Sequence, residues 1–109
     1  MLYINENAIK LTRGDTAYLS VSLQMATGEE YIMSKDDELT LTIKENTFVS
    51  EELMRKTITG ESIFHIKPTD TCNIPFGKYK YDIQLTTSNG DVYTVIDVDT
   101  FEILQEVTC

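Results

Sequence analysis

Three stretches of this chain alternate apolar and polar residues with a period of two, and that pattern limits the fold more than any other feature. Ala17, Leu19, Val21, Leu23 and Met25 alternate with Tyr18, Ser20, Ser22 and Gln24. Leu39, Leu41 and Ile43 alternate with Thr40, Thr42 and Lys44, and Tyr79, Tyr81, Ile83 and Leu85 with Lys80, Asp82, Gln84 and Thr86. Successive side chains of a strand point to opposite faces, so each run predicts a strand with one face on a core and one in water. Val, Ile, Thr, Tyr and Phe, which dominate these runs, suit a pleated, half-buried surface. Asn89-Gly90 falls between two alternating segments and predicts a two-residue hairpin turn joining strands near 78–87 and 91–98.

Further strands are expected near 8–13, 54–59, 62–67 and 100–106, with a shorter one at 30–33. Ser50-Glu-Glu-Leu-Met-Arg-Lys56 has an N-cap residue, then acids, then bases. It predicts either a helix of about two turns or the lead into an edge strand. Pro68-Thr-Asp-Thr71 can open a single helical turn, with Pro at the first position. Seven to nine short strands imply an all-β fold, an immunoglobulin-like antiparallel β-sandwich, with a closed barrel as the alternative. The 109 residues fit a single domain spanning 1–109. The chain has no Trp, so the cysteine–tryptophan–cysteine pattern of antibody domains is missing.

Eighteen acidic residues against nine basic ones give a net charge of -9. Nucleic-acid affinity comes largely from Lys and Arg displacing condensed counterions, so this balance argues against nucleic acid and against anionic membrane surfaces. It suits a basic partner surface. No apolar run approaches the ~18 residues of a membrane span, and Met1-Leu-Tyr-Ile-Asn-Glu-Asn7 shows no signal-peptide pattern. Cys72 and Cys109 are therefore expected as thiols in a reducing compartment, with an intrachain disulfide as the alternative.

Little in the sequence points to catalysis. His65 is the only histidine, and a lone strand histidine is ordinarily structural or solvated. Three Cys and His residues fall short of the four ligands of a closed zinc site. No nucleophile elbow or phosphate-cradling loop is present. The chain is therefore expected not to be an enzyme, with no catalytic, cofactor-binding or metal residues. Asp97, Asp99 and Glu102 form one acidic cluster, and Asp36, Asp37 and Glu38 another. Converging loops of this kind can hold calcium, but the simpler reading is solvated turn carboxylates. Asp97 and Asp99 would share one strand face and repel. Arg13-Gly14-Asp15 reads as a turn between strands rather than an integrin ligand. Tyr79 and Tyr81 are expected in the core, a hydroxyl reaching a loop carbonyl in the manner of a tyrosine corner.

The order of several motifs resembles a known family. Arg13-Gly14-Asp15-Thr16 precedes an alternating strand. Pro68-Thr69-Asp70-Thr71, Gly77-Lys-Tyr-Lys-Tyr-Asp82-Ile-Gln-Leu85, Ser88-Asn89-Gly90 and Tyr93-Thr94-Val95 follow. Over about residues 11–108 this resembles small β-sandwich proteins of tailed phages and prophages of Gram-positive bacteria, such as the N-terminal domain of baseplate upper proteins. The resemblance implies a non-enzymatic structural or adaptor component of a tail or baseplate, assembled in the bacterial cytoplasm and carried in the virion. Its partners would be other tail or baseplate proteins or copies of itself as a homo-oligomer. The contact elements would be an edge strand near 54–59 and the loop at 68–77. The family has no catalytic residues to carry over. The alternative is a carbohydrate- or calcium-binding sandwich of a host-recognition apparatus.

Overall fold

A computed structural model describes residues 2–5, 8–25, 27–48 and 50–107. The elements run β1 (Leu2–Asn5), β2 (Ala8–Thr12), β3 (Ala17–Ser20), β4 (Glu38–Lys44), β5 (Met54–Thr59), β6 (Ile63–Ile66), α1 (Pro68–Thr71), β7 (Gly77–Thr86) and β8 (Val92–Leu104). The fold is all-β. Six strands form one sheet in the order β1-β2-β8-β7-β4-β5, and β3 pairs with β6 in a second, two-stranded sheet.

The alternating runs land where the period of two puts them. Leu39, Leu41 and Ile43 of β4 face Leu85, Ile83 and Tyr81 of β7 in register, and all six are buried. Ala17, Leu19, Phe64 and Ile66 supply the inner face of the small sheet. Beyond β3 the same alternation continues without strand pairing, with Val21 and Leu23 buried and Ser22 and Gln24 outside. Side chains from both sheets join one buried cluster, to which Ile74 of the 72–76 loop is added.

Several expectations are corrected. The large sheet is mixed, because β2 runs parallel to β8 from Ile9↔Phe101 to Thr12↔Leu104. Periodicity fixes which face is buried but carries no information on the direction of a partner ninety residues away. The segments expected as strands at 91–98 and 100–106 are one continuous strand, β8. Of the two readings of the 50–56 segment, the lead into an edge strand holds: it contains no helix and runs into β5, and Leu53 N–H, just before that strand, donates to Ile43 O at 2.8 Å. The expected strand at 30–33 is reduced to a single bridge, Gln24↔Glu30. β1, which no alternation announced, pairs antiparallel with β2.

The turn at Asn89-Gly90 joins β7 to β8 as expected, but its loop has three residues. Thr87 N–H donates to Asp91 O at 2.8 Å and Gly90 N–H to Thr87 O at 2.9 Å, with Ser88, Asn89 and Gly90 between. Gly90 sits at φ +90°, where a side chain would be strained. The β5–β6 connection carries the chain from one sheet to the other through Gly60, at φ +71°. A Cβ there would lie 3.1 Å from the Lys35 carbonyl oxygen, so the site is closed to side chains on both counts.

β8 carries irregularities opposite β7, between Tyr81/Ile83 and between Ile83/Gln84. Asp99 lies opposite Tyr81, Ile96 opposite Ile83 and Thr94 opposite Gln84, so β8 holds an extra residue at each step. The bulges separate the two aspartates expected on one face. Asp99 shares the inner face with Tyr81, while Asp97 is exposed next to inward-facing Ile96.

Candidate functional site

The Arg13-Gly14-Asp15 segment forms a corner of the framework. Asp15 N–H closes the turn on Thr12 O at 3.1 Å, and Gly14 N–H donates to the Thr71 hydroxyl at 2.9 Å. Thr71 closes α1 and is fully buried. Arg13 Nε and Nη2 both reach Glu106 Oε1 at 2.7 Å, and the guanidinium lies 6.0 Å from the Phe76 ring centroid. The arginine of this tripeptide is thereby held against the end of the chain rather than displayed. Glu106 Oε2 is buried with no hydrogen-bond partner among the described residues, so the Arg13 contact is made through Oε1 alone.

Replacing Thr71 by Val keeps the volume but removes the acceptor of the Gly14 N–H. An orphaned buried donor costs about 1–3 kcal/mol. Thermal melts followed by circular dichroism should show the loss. An unchanged melting temperature would mean that the corner does not hold the two segments together.

The acidic run 36–38 is divided by burial. Asp36 and Glu38 are exposed, whereas Asp37 is 1% exposed. Its Oδ2 accepts from the Tyr31 hydroxyl at 2.5 Å and from Ser34 N–H at 3.1 Å, and its Oδ1 from Ser88 N–H at 3.2 Å. Its carbonyl accepts from Gly60 N–H at 2.8 Å. The Tyr31 hydroxyl and the Ser34 N–H hold the Asp37 carboxyl below the ordinary carboxylate value. The same bond, with burial, pushes the Tyr31 hydroxyl up. Asp37 thus ties the 31–34 segment, the β5–β6 turn and the β7–β8 hairpin together.

The other candidate residues are scattered over the molecule. His65 lies on the outside of the small sheet, stacked on Tyr18 with ring centroids 4.6 Å apart and planes at 10°. Tyr81 is buried edge-on against Phe101, and burial with the nearby Asp99 charge pushes its hydroxyl up to about 12. Tyr79 is half-buried and its hydroxyl donates to the Pro75 carbonyl, the loop contact expected of it. Burial raises the Asp82 carboxyl, with Lys44 pulling the other way. Glu102 lies 4.0 Å from Lys10. Among the described residues, no three His, Cys, Asp or Glu side chains are placed to share a metal ion. Cys72 is disulfide-bonded, which corrects the expectation of a thiol there. Cys109 lies outside the described residues.

Two places present surface for contact. The first is the expected edge strand, since β5 closes one side of the large sheet. It is guarded, however. Lys56 faces inward opposite Leu41 and its ammonium reaches Asp70 of α1 at 2.6 Å. Burial alone would raise Asp70, but the Lys56 ammonium and the Lys67 N–H outweigh it and lower the carboxyl. Inward charges of this kind discourage strand addition.

The second place was not visible in the sequence. A groove of about 720 Å³ runs between the 22–25 segment and the paired ends of β7 and β8, lined by Leu23, Met25, Tyr31, Leu85, Tyr93 and Val95. Leu23 and Leu85 belong to alternating runs, but nothing local tells that the two runs leave a gap between them.

No helix among the described residues is long and apolar enough to cross a membrane. Comparison with protein-family models, curated proteins and solved structures returns no match.

Proposed function

We propose that the chain is a non-enzymatic structural or adaptor component of a phage or prophage tail or baseplate. It is built into the virion, acts through protein–protein assembly, and stacks its two sheets as an immunoglobulin-like sandwich. The observation that carries this reading is the hydrogen bond from Gly14 N–H to the Thr71 hydroxyl at 2.9 Å. It joins two of the segments on which the family resemblance rests, 57 residues apart. Each segment alone has a local explanation as a turn. Their contact is a tertiary feature, which supports treating them as parts of one framework. Mass spectrometry of tail particles purified from the source bacterium after prophage induction should find the chain at a fixed ratio to other tail proteins. Its absence from such particles would overturn the reading.

The second reading, a carbohydrate-binding module of a host-recognition apparatus, is favoured by one observation. Tyr18 is 63% exposed and stacked on His65, which leaves aromatic surface on the outer face of the small sheet. Sugars that shift the Tyr18 and His65 ring resonances would support it, and silence across a glycan panel would count against it.

A further inference from the structure

The outer face of the large sheet carries a pocket of about 270 Å³. Its floor is built from strand residues that point away from the core. Thr42 and Lys44 of β4 alternate with buried Leu41 and Ile43, and Lys80, Asp82 and Gln84 of β7 alternate with buried Tyr81 and Ile83. Arg55 of β5 lies opposite Thr42 and completes the floor. Asn46, Thr47 and Glu52 of the β4–β5 connection form one wall. Val98 forms another, where the bulges of β8 break its register with β7.

Three of the nine basic residues meet in this pocket, although the chain as a whole carries a charge of -9. Two of the three are balanced. Arg55 Nε lies 3.4 Å from Glu52 Oε2, and Lys44 is the charge that opposes the rise of the half-buried Asp82 carboxyl. Lys80 is the third. Its ammonium meets the Thr100 hydroxyl at 3.3 Å, and among the described residues no carboxylate pairs with it. The register sets Lys80 directly opposite Lys44. Like charges facing each other across an antiparallel pair destabilise a sheet, so stability gives no reason for two lysines there. An oxyanion between them turns the repulsion into charge-assisted hydrogen bonds.

We propose that this pocket binds the carboxylate or phosphate group of a small ligand, held by the Lys44 and Lys80 ammoniums with the Arg55 guanidinium beside them. The Thr42 hydroxyl and the Gln84 amide offer further donors on the same floor. One surplus positive charge, and a volume below the ~300 Å³ at which drug-sized ligand sites begin, fit an isolated oxyanion with the few atoms that bear it. A polyanion such as nucleic acid would need many basic residues along an extended track. The proposal is independent of the tail reading, since it requires no assembly into a particle.

The test titrates the isotope-labelled full chain with sodium phosphate and, separately, with sodium acetate, against sodium chloride at matched ionic strength. Phosphate, acetate or both should move the amide resonances of Thr42, Lys44, Lys80 and Gln84 along saturable curves that chloride does not reproduce. A response to both assigns a general oxyanion site, and a response to one identifies the group. Lys80→Gln should weaken the responding anion about fivefold. Lys78→Gln, on the same face of β7 but outside the pocket lining, should leave it unchanged. Asp82→Asn removes a negative charge at nearly constant shape and should tighten binding. Lys78 and Lys80 are exposed, so neither change threatens the fold. Without anion, Lys80→Gln should melt no lower than the parent, because it relieves the facing lysines. Shifts that follow ionic strength alone would overturn the proposal, as would equal weakening by Lys80→Gln and Lys78→Gln. Weaker binding by Asp82→Asn would overturn it too.

Discussion

Replacing Asp37 by Ala should lower the melting temperature by about 10 °C or more. Three donors converge on its carboxylate from two parts of the chain: the Tyr31 hydroxyl and Ser34 N–H of the 31–34 segment, and Ser88 N–H of the β7–β8 loop. Alanine leaves these part-buried donors without their acceptor, and a broken hydrogen-bond network is among the few causes of large single-residue losses. The damage should be local before it is global. Ser88 belongs to the β7–β8 loop and Tyr31 lines the groove, so hydrogen exchange should quicken at 31–34 and 87–91 first. A variant as stable as the parent would show that these bonds merely exchange for water.

The same carboxylate sets an acid limit. Its folded pKa lies below the ordinary 3.8, as does that of Asp70. The stabilisation from each is fully present above the unfolded value and is lost as pH falls through the folded one. Stability should therefore be flat from neutral pH to about 4 on their account and fall below it. Asp37→Asn should begin less stable and show a shallower acid limb, with the Asp70 contribution remaining. Urea titrations at a series of pH values would measure both slopes, and parallel limbs in parent and variant would exclude Asp37 as a source.

Why Asp37 was invisible in the sequence follows from where its partners are. In Lys35-Asp-Asp-Glu38 it has the setting of a solvated turn residue, and Ser34 is the only local hint. Gly60 and Ser88 become its neighbours only once β4, β5 and β7 have paired, and Tyr31 reaches back to it across the 31–37 turn. The strands themselves were legible because burial on one face writes a period of two into β4 and β7, and because Gly90 marks a reversal with its own backbone preference. Legibility failed wherever the decisive fact was a relation between distant segments. The parallel β2–β8 pairing, the bulges that leave Asp97 exposed and Asp99 half-buried, and the groove between the 22–25 segment and the ends of β7 and β8 are all of that kind. The 50–56 segment left two readings open, and the edge-strand one holds. Its local helix signals were genuine but short, and pairing of β5 with β4 outweighed them, since an isolated helix of two turns is marginal in water.

Replacing Phe101 by Ala should cost about 3–5 kcal/mol, a large share of the roughly 5–15 kcal/mol that holds a domain of this size together. Phe101 is fully buried and lies where three strands meet, opposite Ile9 on β2 and Tyr79 on β7. Its ring also takes the edge-on contact of Tyr81 at 5.8 Å. A cavity there loosens the junction by which the parallel β2 is held onto the antiparallel part of the sheet, and with it the anchoring of β1. Phe48 makes the comparison sharp, because it is the same residue type at 96% exposure. Phe48→Ala should change stability by no more than about 0.5 kcal/mol. Urea denaturation of the two variants therefore separates burial from residue identity. Phe101→Leu, which refills most of the volume, should recover the larger part of the loss. Equal and small effects at 48 and 101 would mean that β8 does not join the two parts of the sheet through a packed core. The parallel pairing would then have to be held by its backbone bonds alone.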